Sequence, residues 1–120
     1  MKLVLILYAL NASLLILHEI ESAYWKEWEI LGMKGGITLF TLLHFPLILM
    51  MGWGGRLIDH GLWWGKIMGL ITGLGGLCPW LVHRMIRRVP DRFNLPLSGL
   101  LIYANLITGL GLLISVWVDY

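Results

Sequence analysis

The longest uncharged stretch of the chain is FNLPLSGLLIYANLITGLGLLISVWV, which occupies residues 93–118. About 20 apolar residues of α-helix cross the hydrocarbon core of a bilayer, and roughly 17 are a working minimum. The stretch exceeds this length without a formal charge, so it predicts a transmembrane helix. Its apolar residues run continuously instead of alternating with polar ones, which favours a helix over a strand of a membrane barrel.

Three further uncharged stretches occupy residues 3–18, 35–55 and 67–83. The second is long enough to span a bilayer alone, and the other two become long enough with their flanks. We therefore predict an all-α fold, an integral membrane four-helix bundle that forms one domain over residues 1–120. Its spans are expected at about 3–25, 35–54, 62–83 and 95–117. Segments 33–36, 52–56 and 87–92 are expected to separate them.

The composition agrees with a membrane protein. Hydrophobic residues make up 58% of the chain and charged residues 13%, about half the charged share of an average soluble domain. A soluble domain of this size would lack the polar groups needed to cover its surface. The net charge of +2 is too small to indicate a nucleic-acid-binding protein.

Lysine and arginine are divided unequally between the two sides of the predicted bundle. The first and third loops share one side and carry six of these residues, against three on the other side. Basic loops are retained in the cytoplasm, so we predict that these loops are cytoplasmic and that the N- and C-termini lie outside. The six are Lys26, Lys34, Arg84, Arg87, Arg88 and Arg92, and the three are Lys2, Arg56 and Lys66.

Glycines recur on one face of the third span. Gly65, Gly69 and Gly73 follow one another at a spacing of four, and Gly76 comes next. Small residues at this spacing allow the backbone of another helix to approach closely. We expect a packing surface within one bundle in preference to a dimer seam.

The end of the first span carries the residue types best suited to chemistry. His18 and Glu21 are three residues apart and face the same way on a helix, and Asn11 lies on that face seven residues before His18. Bundle helices use His and Glu at this spacing to bind iron or manganese, and zinc also accepts both ligand types.

Two more histidines are predicted in the same half of the membrane. His44 lies ~13 Å into the second span at 1.5 Å per residue, and His83 ends the third span. The predicted metal ligands are therefore His18, Glu21, His44 and His83, with zinc or iron as the divalent metal. Glu19 or Glu27 would support the ligands or carry protons, in a protein that acts on a lipid-soluble molecule.

Alternatives remain open at this point. His18, Glu21 and His83 can be solvated at the membrane interface, with His44 bonded to a carbonyl freed by a proline. His44 and His83 can instead be cofactor-binding residues for haem or a chlorophyll-type pigment, in an accessory subunit of a larger membrane complex or a homo-oligomer. A transporter ranks last, because the chain is too short for inverted repeats. Catalytic residues and reaction type are not indicated.

The segment from His18 to Trp28 resembles the signature HE-I-[D/E]-x-A-Y-W-x-E-W of small bacterial membrane proteins that carry a domain of unknown function. Gly35, Gly36 and the pair His44 and Pro46 also fit that family. The resemblance implies four helices, a polar cluster and the bacterial inner (plasma) membrane, and it implies no activity. The segment is also similar to the HxxEE membrane family, although Ser22 stands where that motif has its second Glu.

Overall fold

The computed structural model describes residues 2–85 and 92–120, and every regular element in these residues is an α-helix. Four of the five helices are long and apolar enough to cross a membrane. The all-α, four-helix membrane fold predicted from the sequence is therefore confirmed. The helices are α1 (Leu3–Tyr24), α2 (Glu27–Ile30), α3 (Gly36–Asp59), α4 (Trp63–Met85) and α5 (Pro96–Asp119).

Helix α3 continues through the glycine-rich segment at residues 52–56, which the sequence predicted to end it. Gly54 is buried, and a Cβ atom at this position would lie 3.0 Å from the Cβ atom of Met68 in α4. These glycines therefore let α3 approach its neighbours and do not break it. The helix ends at Asp59, beyond the predicted span.

Helices α1, α4 and α5 form the tightly packed part of the bundle. All six buried residues of α4 are glycine, threonine or proline. A Cβ atom at Gly109 of α5 would lie 2.7 Å from the carbonyl oxygen of Gly73, and one at Gly76 would lie 2.8 Å from the carbonyl oxygen of Asn105. Two backbones this close leave no room for a side chain, so the predicted packing face is confirmed within this one chain.

A polar contact joins the same three helices near their middle. The Asn11 side chain is fully buried; its Nδ2 donates to the carbonyl oxygen of Thr72 over 2.7 Å. Its Oδ1 accepts a hydrogen bond from the Thr108 hydroxyl over 2.9 Å. A polar side chain in hydrocarbon needs such partners, and here they link α1 to α4 and α5. The buried face of α1 continues from Asn11 to His18 and Glu21, as the sequence predicted.

Helix α3 is the loosely packed member of the bundle. Its buried residues are Gly54 and Ile58, both close to its C-terminal end. The Tyr8 hydroxyl of α1 donates to the carbonyl oxygen of Met51 over 2.8 Å, which also holds this half of α3. The N-terminal half of α3 lies beside a cavity that α1 and α4 line on the other side. The two ends of α3 are therefore packed very differently.

Candidate functional site

The turn after α1 determines which acidic residues lie beneath the bundle. Helix α1 ends at Tyr24, and Lys26 adopts a left-handed conformation with φ 53° and ψ 53°. A non-glycine residue with positive φ is uncommon, and this one redirects the chain into α2. Glu27 and Trp28 at the start of α2 are consequently buried.

Three side chains converge at this end of the bundle, and we call them the His-Glu cluster: His18, Glu27 and His83. Each offers one ligand-type atom, and these atoms all lie within 4.8 Å of one another. His83 Nε2 is 3.8 Å from Glu27 Oε1. The imidazole rings of His18 and His83 meet edge to face with their centroids 5.4 Å apart. Helices α1, α2 and α4 thus each contribute one member.

Several polar atoms at the His-Glu cluster are buried without a hydrogen-bond partner in the described residues: His18 Nδ1, His83 Nε2 and Glu21 Oε2. The 3.8 Å between His83 and Glu27 is too long for a hydrogen bond. Buried polar groups are nearly always satisfied, so three unsatisfied ones in one place require an explanation. An ion or a water molecule bound between them would satisfy these atoms.

Glu21 lies next to the cluster and is 6% exposed. Its Oε1 accepts hydrogen bonds from the Trp25 indole N–H, over 3.3 Å, and from the Ser98 hydroxyl of α5. These bonds fix the position of the carboxylate and leave its Oε2 atom available as a ligand for a metal ion. His18 and Glu21 are buried and therefore not solvated at the interface, whereas His83, the third residue of that alternative, is partly exposed.

Phe93 covers the His-Glu cluster from the loop before α5. Its ring centroid is 4.2 Å from that of His83 and 6.1 Å from that of His18. Trp25 packs beside it with a centroid distance of 6.0 Å. The aromatic cover keeps the polar atoms away from water, which strengthens every electrostatic interaction beneath it.

Arg92, which precedes Phe93, forms hydrogen bonds with the loop that follows α1. Its Nη1 donates to the carbonyl oxygens of Trp25, over 3.0 Å, and of Lys26, over 3.2 Å. Its Nη2 donates to Glu29 Oε2 over 2.9 Å. These carbonyls follow the C-terminal end of α1, where a cation is favoured by the helix dipole. The arginine therefore holds the turn that carries Glu27.

A second polar contact at the same end is the Glu19–His44 pair, in which Glu19 Oε2 is 2.8 Å from His44 Nε2. His44 Nδ1 lies 2.6 Å from the carbonyl oxygen of Phe40, four residues earlier in α3. Pro46 would free the carbonyl of Leu42 and not that of Phe40, so the proline explanation for His44 is wrong.

The structure thus brings together only part of the predicted ligand set. His18 and His83 lie together with Glu21 beside them, whereas His44 is engaged by Glu19 on another face of α1. Glu27, which sequence reasoning gave only a supporting role, lies together with His18 and His83. Glu27 is nine residues after His18, and nine residues at 100° each make about two and a half helical turns. On an uninterrupted helix the two side chains would therefore point in opposite directions. The left-handed conformation of Lys26 turns the Glu27 side chain back toward His18. Residue spacing in the sequence does not predict this turn.

Two imidazoles and one carboxylate form a donor set that both zinc and non-haem iron accept. Donor atoms about 2.0–2.2 Å from a tetrahedral metal lie about 3.4 Å apart. The cluster atoms, within 4.8 Å of one another, would have to close by about an ångström around an ion. Rotation of the two imidazole side chains is the movement that this requires.

Comparison with known proteins identifies a family. Residues 4–119 match the sequence profile of a family of unknown function, DUF6713. No curated protein and no solved structure matches the chain. The match covers nearly the whole chain, and the chain therefore belongs to DUF6713. The narrower signature and the similarity to the HxxEE family remain predictions.

Proposed function

We propose that this DUF6713 member is an integral membrane protein that binds one divalent metal ion, zinc or iron, through His18, Glu27 and His83. The observation that carries the proposal is the convergence of three ligand-type atoms within 4.8 Å, two of them on imidazoles with buried, unpartnered nitrogens. Such nitrogens cost free energy in a low-dielectric interior unless something binds them.

Charge balance supports a dication at this position. Glu27 and Glu21 are both buried, at 8% and 6% exposure, and two ionised carboxylates would neutralise a divalent ion in the membrane interior. Glu21 Oε2 is free to act as a fourth ligand or to bind a water on the metal. His44, the remaining predicted ligand, would not contact the ion while it stays bonded to Glu19.

Three protein ligands leave a coordination position open, which is the arrangement of catalytic metal sites. A metal bound there would supply Lewis acidity or an activated water. The protein's own residues would hold the ion, exclude bulk water through Phe93 and place the unpartnered Oε2 atom of Glu21 beside the site. We infer that the site acts on or binds a lipid-soluble molecule, because α1 and α4, which carry His18 and His83, are long and apolar enough to cross a membrane.

Metal analysis of the protein purified in detergent and reloaded with zinc or iron(II) tests the proposal. We expect about one ion per chain in the unchanged protein and a loss of most of it in Glu27→Gln, which keeps the shape of the side chain. His60→Ala is the matched control, because His60 is exposed after the end of α3. Equal metal content in the unchanged protein and Glu27→Gln would refute the proposal.

The second candidate is a haem- or pigment-binding accessory subunit of a larger membrane complex. His83 Nε2 is unpartnered and can serve as an axial ligand. His44 Nε2 is already engaged by Glu19, so ligation through this nitrogen would cost that hydrogen bond, while Nδ1 could keep its contact with the Phe40 carbonyl oxygen. An absorption spectrum of the purified protein separates the candidates, since only the second expects a Soret or chlorophyll-type band.

The orientation also belongs to the proposal. In a bacterial inner membrane, the end of the bundle that carries the His-Glu cluster would face the cytoplasm and both termini would lie outside, because the first and third loops are the more basic. Fusions of a periplasm-active phosphatase and of a cytoplasm-active fluorescent protein to Tyr120 test this. We expect activity from the phosphatase only, and fluorescence without phosphatase activity would reverse the assignment.

A further inference from the structure

The cavity between α1 and α3 is an elongated apolar groove, which we call the α1–α3 groove. Its volume is about 380 Å³, near the lower end of the range for small-molecule sites. On α3 its lining extends from Ile37 to Met51, which is ~21 Å at 1.5 Å per residue. The other walls include Leu15 and Ile16 of α1 and Ile71 of α4.

The Glu19–His44 pair interrupts this apolar lining about halfway along it, since His44 lies midway between Ile37 and Met51 on α3. The Glu19 and His44 side chains are 33% and 23% exposed, so a molecule in the groove can reach them. The pair uses Glu19 Oε2, and within the described residues Glu19 Oε1 has no hydrogen-bond partner. The groove thus combines a long apolar channel with an accessible carboxyl oxygen, and Thr41 and Thr72 are the other polar residues of its lining.

The contacts of His44 determine how many protons the pair holds. The carbonyl oxygen of Phe40 can only accept, so His44 Nδ1, 2.6 Å away, must carry a hydrogen. Nε2 and Glu19 Oε2, 2.8 Å apart, must then share one more proton, because two bare lone pairs would repel. Whichever atom holds that proton, the Glu19–His44 pair has no net charge.

From this arrangement we propose that the α1–α3 groove binds a neutral, single-chain lipid whose polar end is a hydroxyl group, such as a fatty or prenyl alcohol. The hydroxyl donates to Glu19 Oε1, and the chain follows α3. A cationic head would gain little from a pair without net charge, and an anionic head would meet a carboxyl oxygen. The narrow volume favours one chain over a two-chain phospholipid.

This inference rests on the lipid-soluble partner of the proposed function and not on the metal. Residues 18 and 19 are neighbours on α1, yet His18 belongs to the His-Glu cluster and Glu19 to the groove. The two sites have separate side chains, so one can fail without the other. Glu27→Gln should lose metal and keep the lipid, whereas a groove variant should do the reverse.

Photolabelling of the full chain in detergent or nanodiscs tests the ligand class. The probe is a hexadecanol analogue with a diazirine in the middle of its chain and a terminal alkyne. We expect adducts on groove residues such as Met51 and Ile71, and competition by hexadecanol. Hexadecane and hexadecanoate, which have no donor for Glu19 Oε1, should each compete about tenfold more weakly, the factor expected for one lost hydrogen bond. Hexadecylamine can donate to the same oxygen but should compete no better than hexadecanol, because the pair carries no net charge.

Two substitutions of Glu19 separate hydrogen bonding from charge. In Glu19→Gln the amide N–H donates to His44 Nε2 and the amide oxygen remains free, so labelling should stay within about twofold. Glu19→Leu removes the acceptor and should lower labelling about tenfold. Phe45→Leu is the matched control, since Phe45 is 66% exposed on α3 and does not line the groove.

Several results of the labelling and competition experiments would overturn the proposal. Stronger competition by hexadecylamine, or loss of labelling in Glu19→Gln, would mean that the groove recognises charge. Equal competition by hexadecane would mean that it accepts any apolar chain, and adducts outside the groove would mean that the site is elsewhere. The competition series uses the unchanged protein, so it decides the matter even where a variant fails to fold.

Discussion

His18 and Glu19 are consecutive residues of α1, yet they belong to two polar sites with opposite properties. His18 is 2% exposed and has a buried nitrogen without a partner, whereas the Glu19 side chain is 33% exposed and bonded to His44. The difference follows from the neighbouring helices. On one side, glycines draw α4 and α5 close; on the other, α3 leaves a groove.

This comparison shows how packing sets what a polar residue can do. A side chain in a tight interface has few other polar groups within reach, so its polar atoms can remain without a protein partner and can bind a small ion after a short rotation. A side chain beside a loose helix can pair with a neighbour and still meet a larger molecule. On the two proposals made above, the tight region would hold a metal ion and the loose region a lipid.

The largest expected effect comes from placing a side chain in the tight region. Gly76→Leu would drive its Cβ atom to within 2.8 Å of the Asn105 carbonyl oxygen, and we expect a loss of about 3 kcal/mol or more of stability. Gly52→Leu on α3 meets no atom within 4 Å and should change stability by less than about 0.5 kcal/mol. Denaturation in mixed micelles measures both, and equal effects would remove the distinction between the regions.

The next largest effect concerns the two histidines that α3 and α4 contribute. His83→Ala should weaken metal binding by about 100-fold, or about 2.7 kcal/mol, because it removes a ligand. His44→Ala should leave metal affinity within about twofold, since His44 is engaged by Glu19. Titration of the metal-free protein with zinc gives both values. Comparable losses in the two variants would join His44 to the metal site and contradict the separation.

A smaller effect is expected from the polar contact inside the tight region. Asn11→Leu removes hydrogen bonds to the Thr72 carbonyl and from the Thr108 hydroxyl and should cost about 1 kcal/mol. Thr108 keeps the Ala104 carbonyl as an acceptor, which limits the loss. Thr41→Val, beside the groove, is the control and should have almost no effect on unfolding in mixed micelles. A stabilised Asn11→Leu protein would show that this contact is not structural.

The smallest effect tests the charge state of the loose region. Glu19→Gln should change the free energy of unfolding by less than about 0.5 kcal/mol, because an amide N–H replaces the shared proton at His44 Nε2. Glu19→Leu leaves that nitrogen unpaired and should cost about 1 kcal/mol. The unfolding measurements in mixed micelles apply here as well. If Glu19→Gln lowers the free energy of unfolding as much as Glu19→Leu does, the Glu19–His44 pair carries a net charge and does not share one proton as argued above.

The sequence predicts most of the fold because lipid imposes simple rules. Uncharged length identifies the four spans, and glycine spacing identifies the face of α4 that packs on α5. The stripe from Asn11 to Glu21 also lies buried as predicted, since polar residues in a span turn toward protein. These features depend on periodicity along one helix, which a sequence displays directly.

The composition of the candidate site was harder to predict. Glu27 enters the His-Glu cluster because Lys26 takes a left-handed conformation, and a lysine gives no signal of positive φ. His44 lies at the level of Glu19 on α1, but the direction of its side chain depends on how α3 is rotated against α1, which span prediction does not fix. The position of Glu27 depends on the turn between α1 and α2, and that of His44 depends on the packing of α3 against α1. Neither can be predicted from the periodicity of a single helix.

The central claim is that His18, Glu27 and His83 together hold one metal ion. X-ray absorption at the metal edge of the reloaded protein tests it most directly, because the spectrum counts imidazole ligands around the ion. The account predicts two imidazole nitrogens at about 2.0–2.1 Å with oxygen completing the shell, and one imidazole fewer in His83→Ala. A shell without imidazole, or one that His83→Ala leaves unchanged, would contradict it.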